Sequence, residues 1–252
     1  MSEKKALKPR GSFLLELVAV LLAAGLIFTL IYPKSLWDKE EENTETCHEI
    51  MWHIYFAEIT YLDTKLEYND TLEQVISFIL PDSTDSTATH LHRYISIDSV
   101  LGMDIINNFR QVLDTVTINV DSVFGEGPDS VAVVQRKVTV SALVDSMLSF
   151  ANSVDLDTTE AFVIDSLRAW PEYSEQIDSI GLATLNSLYN CPTTGKPYII
   201  KVYNDTIPKL VNIYCPLDST DQEAVRKNFK LHFLGGLRIE NHGAIESGEK
   251  TW

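Results

Sequence analysis

The sequence predicts an α+β protein in which a long N-terminal helix carries a head built of an antiparallel β-sheet and extra helices. Three patterns favour this fold class: an apolar run near the N-terminus, a helical stripe of apolar residues behind it, and β-branched runs separated by turn residues towards the C-terminus. We expect the first half of the helix to span a membrane and the second half to pack against the head.

The apolar run covers residues 12–32 and is interrupted by a single acid, Glu16. At about 1.5 Å per helical residue the run spans about 30 Å, the thickness of a bilayer core. It is too long for the apolar part of a secretory signal, and no cleavage site of small residues follows it. Residues 1–11 have four basic side chains against one acid, a net charge of +3, which predicts a cytoplasmic N-terminus and a single span.

Glu16 alone has two interpretations. It lies only about 7 Å along the helix from Gly11, so its carboxylate could reach the cytoplasmic interface at little cost. Alternatively it has a partner, because an ionisable group inside a membrane span is costly when it is unpaired.

The residues around Glu16 resemble a known class of leader. A short basic segment ends at Gly11, an apolar helix follows, Glu16 stands fifth after the glycine, and Pro33 stands twenty-second. This pattern is similar to the class III leader of type IV pilins and type II secretion pseudopilins, and it covers residues 1–35. Ser12 departs from the pattern, since phenylalanine is usual at that place.

The resemblance implies how the protein would be processed and assembled. A prepilin peptidase would cut between Gly11 and Ser12 and methylate the new amine of Ser12. Glu16 would pair with the N-terminal amine of a neighbouring subunit, which offsets the cost of placing either charge alone in hydrocarbon. Glu16 and Pro33 are the implied assembly residues.

The same resemblance implies the surroundings of the protein. Its partners would be other pilin-like subunits, the prepilin peptidase and an inner-membrane assembly platform. The protein would cross the inner membrane once, with its head in the periplasm or in a filament.

The composition narrows the function classes. Beyond residue 33 the chain has 34 acids and 16 bases, a net charge of −18, which argues against nucleic-acid binding. Phosphate-binding, dinucleotide-binding and serine-hydrolase motifs are missing from the sequence, so we expect no enzymatic activity.

We divide the chain into five segments by composition and pattern. They are a leader (1–11), a transmembrane helix (12–33), a helical stem (34–80), an enlarged head or insertion (81–190) and a C-terminal antiparallel-sheet region (191–252). The stem is predicted from a stripe with a period near 3.6 residues, although the acidic segment 38–45 leaves a break open. The stripe comprises Leu36, Cys47, Ile50, Met51, Ile54, Ala57 and Tyr61.

The later elements follow from local pattern. A short amphipathic helix is expected over residues 71–80, before Pro81. In the insertion we expect a strand over 91–98, a helix over 99–114, a β-hairpin over 115–140 and helices over 141–153 and 158–170. In the C-terminal region we expect strands over 198–203, 209–214 and 230–234, the first two joined by an Asn204-Asp205 turn.

The chain has three cysteines. Cys191 and Cys215 flank the predicted C-terminal hairpin and each precedes a proline, so in an oxidising compartment they could form a disulfide. The alternative is two buried or free thiols, and Cys47 would be left over in either case. Closely spaced cysteine pairs of the zinc-binding kind are missing.

Asp218, Asp221 and Glu223 lie in one short segment. Carboxylates are the hard oxygen ligands that Ca²⁺ prefers, and some major pseudopilins, which this chain resembles, bind calcium in a C-terminal loop. The alternative is that Asp218 caps a helix that starts after it. Apart from this calcium site we expect no cofactor.

The spacing of the histidines argues against a metalloprotease. His48 and His53 are five residues apart, whereas the zinc-protease helix needs two histidines four apart on one face. His90 and His92 would share one face of a strand, and we expect them to be exposed rather than to bind a metal.

The sequence therefore predicts a structural protein that serves protein secretion or pilus formation: a pilin-like subunit of a type II secretion pseudopilus or type IV pilus. The alternative is an extracytoplasmic binding domain on a single-span anchor that does not polymerise.

Overall fold

The protein is described here in a computed structural model that covers residues 13–80, 89–113, 115–122, 132–154, 156 and 158–252. Helix α1, Phe13–Lys65, is one continuous helix of 53 residues. It contains Pro33, which removes one backbone hydrogen bond without ending the helix. The acidic segment does not break it either, and the hydroxyls of Thr44 and Thr46 donate to the carbonyls of Glu40 and Glu42 at 2.8 Å.

The two halves of α1 have different surroundings. Its N-terminal half is long and apolar enough to cross a membrane, and the described part of the chain buries none of that apolar segment. The C-terminal half is buried along one stripe, at Cys47, Ile50, Met51, Ile54 and Ala57. The predicted stripe is confirmed here, because residues three and four apart share one face of a helix.

The short helix α2, Leu72–Ile79, follows α1 as predicted and contacts it. Val75, Ile76 and Ile79 are buried in the core that α2 shares with α1. Its apolar residues therefore extend the core beyond the end of α1.

The described residues between 89 and 189 are mainly helical. The helices are α3 Thr89–Ile97, α4 Ser99–Val112, α5 Val140–Ser153, α6 Thr159–Arg168 and α7 Pro171–Asn186, followed by a 3₁₀ turn at Ser187–Tyr189. Helix α6 contacts α3, α4, α5 and α7, and α3 contacts α1. The predicted strand over 91–98 is wrong, because Leu91, Tyr94 and Ile95 have helical spacing and are all buried.

The predicted hairpin of the insertion is confirmed in its strands. Strand β1, Thr115–Ser122, pairs antiparallel with β2, Ala132–Thr139, so that Thr115 lies opposite Thr139. Its predicted turn residues lie outside the described part of the chain.

The C-terminal region forms a four-stranded antiparallel sheet in the order β3-β4-β5-β6. The strands are β3 Ile199–Tyr203, β4 Leu210–Tyr214, β5 Ala244–Glu246 and β6 Glu249–Lys250. Strands β4 and β5 contact α1, and Val211, Ile213 and Ile245 are buried. The mixture of a long helix, further helices and this sheet agrees with the predicted α+β class.

The third strand that was predicted over 230–234 is wrong. Helix α8, Ser219–Lys227, is followed by a single stretch of π-helix, Phe229–Leu234. The Asn228 side chain accepts from the backbone N–H groups of Lys230 and Leu231 at 3.1 and 3.3 Å. This cap favours the start of a helix at this place rather than a strand. The strand that pairs with β4 in its place is β5.

Candidate functional site

The predicted assembly residue Glu16 lies in the first turn of α1. Its side chain is exposed between the exposed side chains of Leu15 and Leu17. Within the described part of the chain its carboxylate has no hydrogen-bond or ion-pair partner. Gly11 and Ser12, the predicted cleavage and methylation residues, lie outside the described residues.

A second group of reactive side chains lies where α1 meets the C-terminal region. The ligand atoms of Cys47, Cys191, Cys215 and His242 all lie within 4.8 Å of one another, and the four residues are buried. All three cysteines are free thiols, so the disulfide predicted between Cys191 and Cys215 is not formed. Three sulfur atoms and one imidazole nitrogen could together hold a metal ion.

Two of these residues are positioned by the elements next to the sheet. Cys47 belongs to the buried stripe of α1. Cys191 opens a tight turn, in which its carbonyl accepts from the Gly195 N–H at 2.7 Å and its N–H donates to the Lys196 carbonyl at 2.9 Å. Gly195 has φ +68°, a left-handed conformation that glycine adopts without strain.

Cys215 and His242 are held by a second set of backbone contacts. Cys215 directly follows β4, and its N–H donates to the Gly243 carbonyl at 3.1 Å. The Asn241 side chain donates to the Leu217 carbonyl at 2.6 Å and accepts from the Gly243 N–H at 2.8 Å. These bonds fix the turn that carries His242 beside Cys215.

The two ring nitrogens of His242 have different surroundings. Nε2 lies 3.3 Å from Oε1 of Glu40, a residue of α1. Glu40 also accepts from the Thr193 hydroxyl, at 3.2 Å from Oε2. Nδ1 is buried and makes no hydrogen bond with any residue that the structure describes. In the neutral form of the ring, which is the form that binds a metal, the Glu40 carboxylate favours the tautomer with its proton on Nε2 and leaves the electron pair on Nδ1.

The side chains of this group shift one another's pKa values. Hydrogen bonding to Cys191 and Cys215 raises the pKa of Cys47, and hydrogen bonding from Cys215 and Cys47 lowers the pKa of Cys191. Burial lowers the pKa of His242, but contacts with Cys191, Cys215 and Glu40 outweigh burial and raise it to about 11. The group therefore favours a thiolate, the form in which cysteine binds metals.

Tyr198 completes the surroundings of the sulfur atoms. Its hydroxyl donates to Sγ of Cys47 at 3.3 Å, and the side chain is buried. Burial, followed by the hydrogen bond to Cys47, raises the pKa of Tyr198, so the phenol remains a neutral donor.

The predicted calcium residues are engaged with other groups. Asp218 and Asp221 form a capping box at the start of α8, which is the alternative that the sequence left open. Lys196 Nζ lies 3.3 Å from Asp218 Oδ2 and 2.8 Å from Asp221 Oδ2. Glu223 pairs with Lys227 at 3.0 Å. A calcium ion would have to compete with these partners for each carboxylate.

The histidines of the stem lie in separate places. His48 donates from Nε2 to the His242 carbonyl at 2.7 Å, and its ring stacks on Trp252. His53 contacts the buried Asp98, with Nδ1 2.5 Å from Oδ2. Each therefore has its own structural contact.

His90 and His92 lie on helix α3 instead of the predicted strand. His92 pairs with Asp165 at 2.6 Å, and the ring of His90 packs on Phe78. His92 thus joins α3 to α6, and His90 joins α3 to α2.

The grouping of three cysteines with His242 was missed by the sequence reasoning. The sequence predicts Cys47 on the buried stripe, and this is confirmed, but it assigns Cys47 no partner. The available signal was that Cys191 and Cys215 flank the predicted C-terminal hairpin and each precede a proline. Nothing near His242 in the sequence distinguishes it from the other histidines.

Comparison with protein-family models, with curated proteins and with solved structures finds no match to this chain.

Proposed function

We propose that this protein is a pilin-like subunit of a type II secretion pseudopilus or type IV pilus, anchored in the inner membrane and assembled through α1. The observation that carries the proposal is the continuity of α1. One helix of 53 residues joins an exposed apolar half to a half that is buried against an antiparallel sheet.

The exposed apolar side chains of the N-terminal half of α1 must be buried against lipid or another protein. Leu22, Leu26 and Leu30 are between 64% and 74% exposed, and a soluble monomer rarely leaves so long an apolar surface in water. A bilayer covers this surface before assembly. In a filament the equivalent helices of neighbouring subunits cover it instead.

In this scheme Glu16 is the residue that pairs with a neighbouring subunit. A single carboxylate within the apolar segment is costly unless a positive group lies beside it. Cleavage after Gly11 creates an amine at Ser12, and methylation leaves that amine positively charged. The amine of a neighbouring subunit is then the natural partner of Glu16, because the two groups are tolerated together at a depth where neither is tolerated alone.

The remaining partners follow from the same scheme. A prepilin peptidase would process the leader, and an inner-membrane platform would move the subunit from the bilayer into the filament. The head, with its net charge of −18 beyond residue 33, would lie in the periplasm. Helices α3 to α7 enlarge it beyond one helix and one sheet, which suits a specialised subunit rather than a bulk one.

Glu16→Ala tests the proposal in cells that carry the peptidase and the platform. We expect the variant to insert and fold normally but to be lost from sheared filaments and from subunit–subunit cross-links. Glu41→Ala is the matched control, because Glu41 is an exposed acid on the same helix outside the span, and this variant should assemble.

Mass spectrometry of the mature N-terminus tests the proposed cleavage and methylation independently. We expect a chain that begins with a methylated Ser12. A chain that keeps residues 1–11 in such cells, together with normal behaviour of Glu16→Ala, would show instead a binding domain on a simple single-span anchor.

A further inference from the structure

We propose that Cys47, Cys191, Cys215 and His242 bind one Zn²⁺ ion, which ties the stem helix to the C-terminal sheet. The four side chains come from four separate segments: α1, the turn after the 3₁₀ helix, the end of β4 and the turn before β5. The inference does not depend on filament assembly.

The donor set and its dimensions fit zinc. A tetrahedral zinc ion with Zn–S bonds of about 2.3 Å holds its sulfur atoms about 3.8 Å apart. The four ligand atoms already lie within 4.8 Å of one another, so small side-chain rotations would complete the site. Three thiolates and one imidazole are soft and intermediate ligands, which suit zinc and are unsuited to calcium or magnesium.

His242 Nδ1 is the second observation that points to a bound ion. It is buried beside the sulfur atoms and makes no hydrogen bond within the described ranges of the chain, although buried polar atoms are nearly always paired. A metal ion at the centre of the group supplies the missing partner. The Nε2–H then donates to Glu40 Oε1 at 3.3 Å, the carboxylate–histidine–zinc arrangement that orients metal-binding histidines.

The contacts of the sulfur atoms fit the same ion. Tyr198 donates to Cys47 Sγ at 3.3 Å, as expected of a donor that supports a metal-bound thiolate. A disulfide would use two of the sulfur atoms and leave the third sulfur and Nδ1 outside that bond. With zinc, all four ligands are used by one centre.

The site would be structural. Four protein ligands fill a tetrahedral zinc ion, so no position remains for water or substrate. The four residues are also at most 5% exposed, which gives a substrate no access. The ion would act as a cross-link that holds α1 against one end of the sheet, where Ile199, Tyr214 and Ala244 lie side by side.

The test begins with the metal content of the full chain, purified in detergent without a metal-affinity column. We expect about one zinc ion per chain by elemental mass spectrometry. X-ray absorption at the zinc edge should show three sulfur neighbours at about 2.3 Å and one nitrogen neighbour at about 2.0 Å. Alkylation of the denatured, metal-free chain should find three free thiols.

Variants connect the metal to these residues. Cys215→Ser and His242→Asn should each lose the zinc, whereas His92→Asn should keep it, because His92 pairs with Asp165 away from the group. Glu40→Gln removes the charge behind His242 and keeps all four ligands. It should weaken zinc binding about 10- to 100-fold in competition with a chelator.

Several results would overturn the inference. They are wild-type protein without zinc, a disulfide between any two of the three cysteines, or a zinc ion surrounded only by oxygen and nitrogen. Unchanged zinc content in both Cys215→Ser and His242→Asn would do the same. If the two ligand variants fail to fold, the absorption spectrum of the wild type and the affinity of Glu40→Gln decide the question.

Discussion

Glu58 is a carboxyl group that the fold keeps protonated near neutral pH. Its side chain is fully buried on α1, where Oε2 accepts from the Asn69 N–H at 3.0 Å and Oε1 has no hydrogen-bond partner among the described residues. Burial raises the pKa of Glu58 to about 8, against the opposing effect of the Asn69 hydrogen bond and with a smaller contribution from Asp70. The folded protein therefore holds a proton that the unfolded chain releases at lower pH.

This proton predicts how stability depends on pH. Between the ordinary carboxyl pKa of 4.5 and about 8, the folded state binds more protons than the unfolded state. The free energy of unfolding should therefore fall as pH rises through this range and level off above it. Glu58→Gln keeps an oxygen for the Asn69 N–H and cannot ionise, so it should remove this part of the decline.

Denaturant titrations of the full chain below pH 4.5 and above pH 8 measure the effect. We expect Glu58→Gln to match the wild type at the lower pH and to exceed it at the higher pH by a few kcal/mol. Glu49→Gln, an exposed acid on the same helix, should follow the wild type. Parallel curves for Glu58→Gln and the wild type would mean that Glu58 is ionised in the folded protein.

At the scale of single residues, the sequence pattern predicts few of the roles that the structure reveals. Glu58 looks like any acid of the stem, and its unusual pKa comes from neighbours that only the folded chain brings together. His242 is similar, because its Glu40 contact joins residues from opposite ends of the chain. By contrast, the capping box of Asp218 and Asp221 is local, so its residues could be recognised from their spacing.

At the scale of elements, the buried stripe of α1 holds the head on the stem. Ile54 has no exposed surface and lies in the core with Met51, Val211 and Ile245. Ile54→Ala should lower the free energy of unfolding by about 2–5 kcal/mol, because it removes buried methyl groups and leaves a cavity.

Chemical denaturation measures this loss, and Leu182→Ala on α7 is the control. Leu182 is an apolar helical residue that is 46% exposed, so its truncation should cost much less. Equal losses for the two variants would contradict the assignment of Ile54 to the core between stem and sheet.

Prediction of the elements succeeded where local pattern and tertiary packing agree. The stem has a stripe with a period near 3.6 and the β1–β2 strands are rich in β-branched residues, and both elements are found. Residues 91–98 and 230–234 were too short for a clear period. The first became helical through burial of Leu91, Tyr94 and Ile95, and the second through the Asn228 cap.

At the scale of the whole molecule, the proposed zinc ion predicts a local rather than a general loss of structure. Removal of zinc by a chelator should increase hydrogen exchange in residues 190–197 and 241–246, the turns that carry or adjoin Cys191 and His242. Helices α4 to α7 should keep their protection, because they pack mainly on one another. Mass-spectrometric hydrogen exchange on the full chain measures this difference.

Zinc should also stabilise the fold by mass action. At free zinc about 1,000 times the dissociation constant, the gain in the free energy of unfolding should be about 4 kcal/mol. His242→Asn should show neither the gain nor the chelator effect. Equal exchange in both regions after chelation would contradict a cross-link at this place.

The apolar run of residues 12–32, the stem behind Pro33 and the paired strands could be read from the chain alone. Each is set by neighbours within a few turns or strand lengths, and burial of their apolar faces reinforces the local preference. The meeting of Cys47, Cys191, Cys215 and His242 was settled by packing of α1 against the C-terminal sheet. These residues lie far apart in the sequence, so their proximity depends on long-range contacts that no local pattern records.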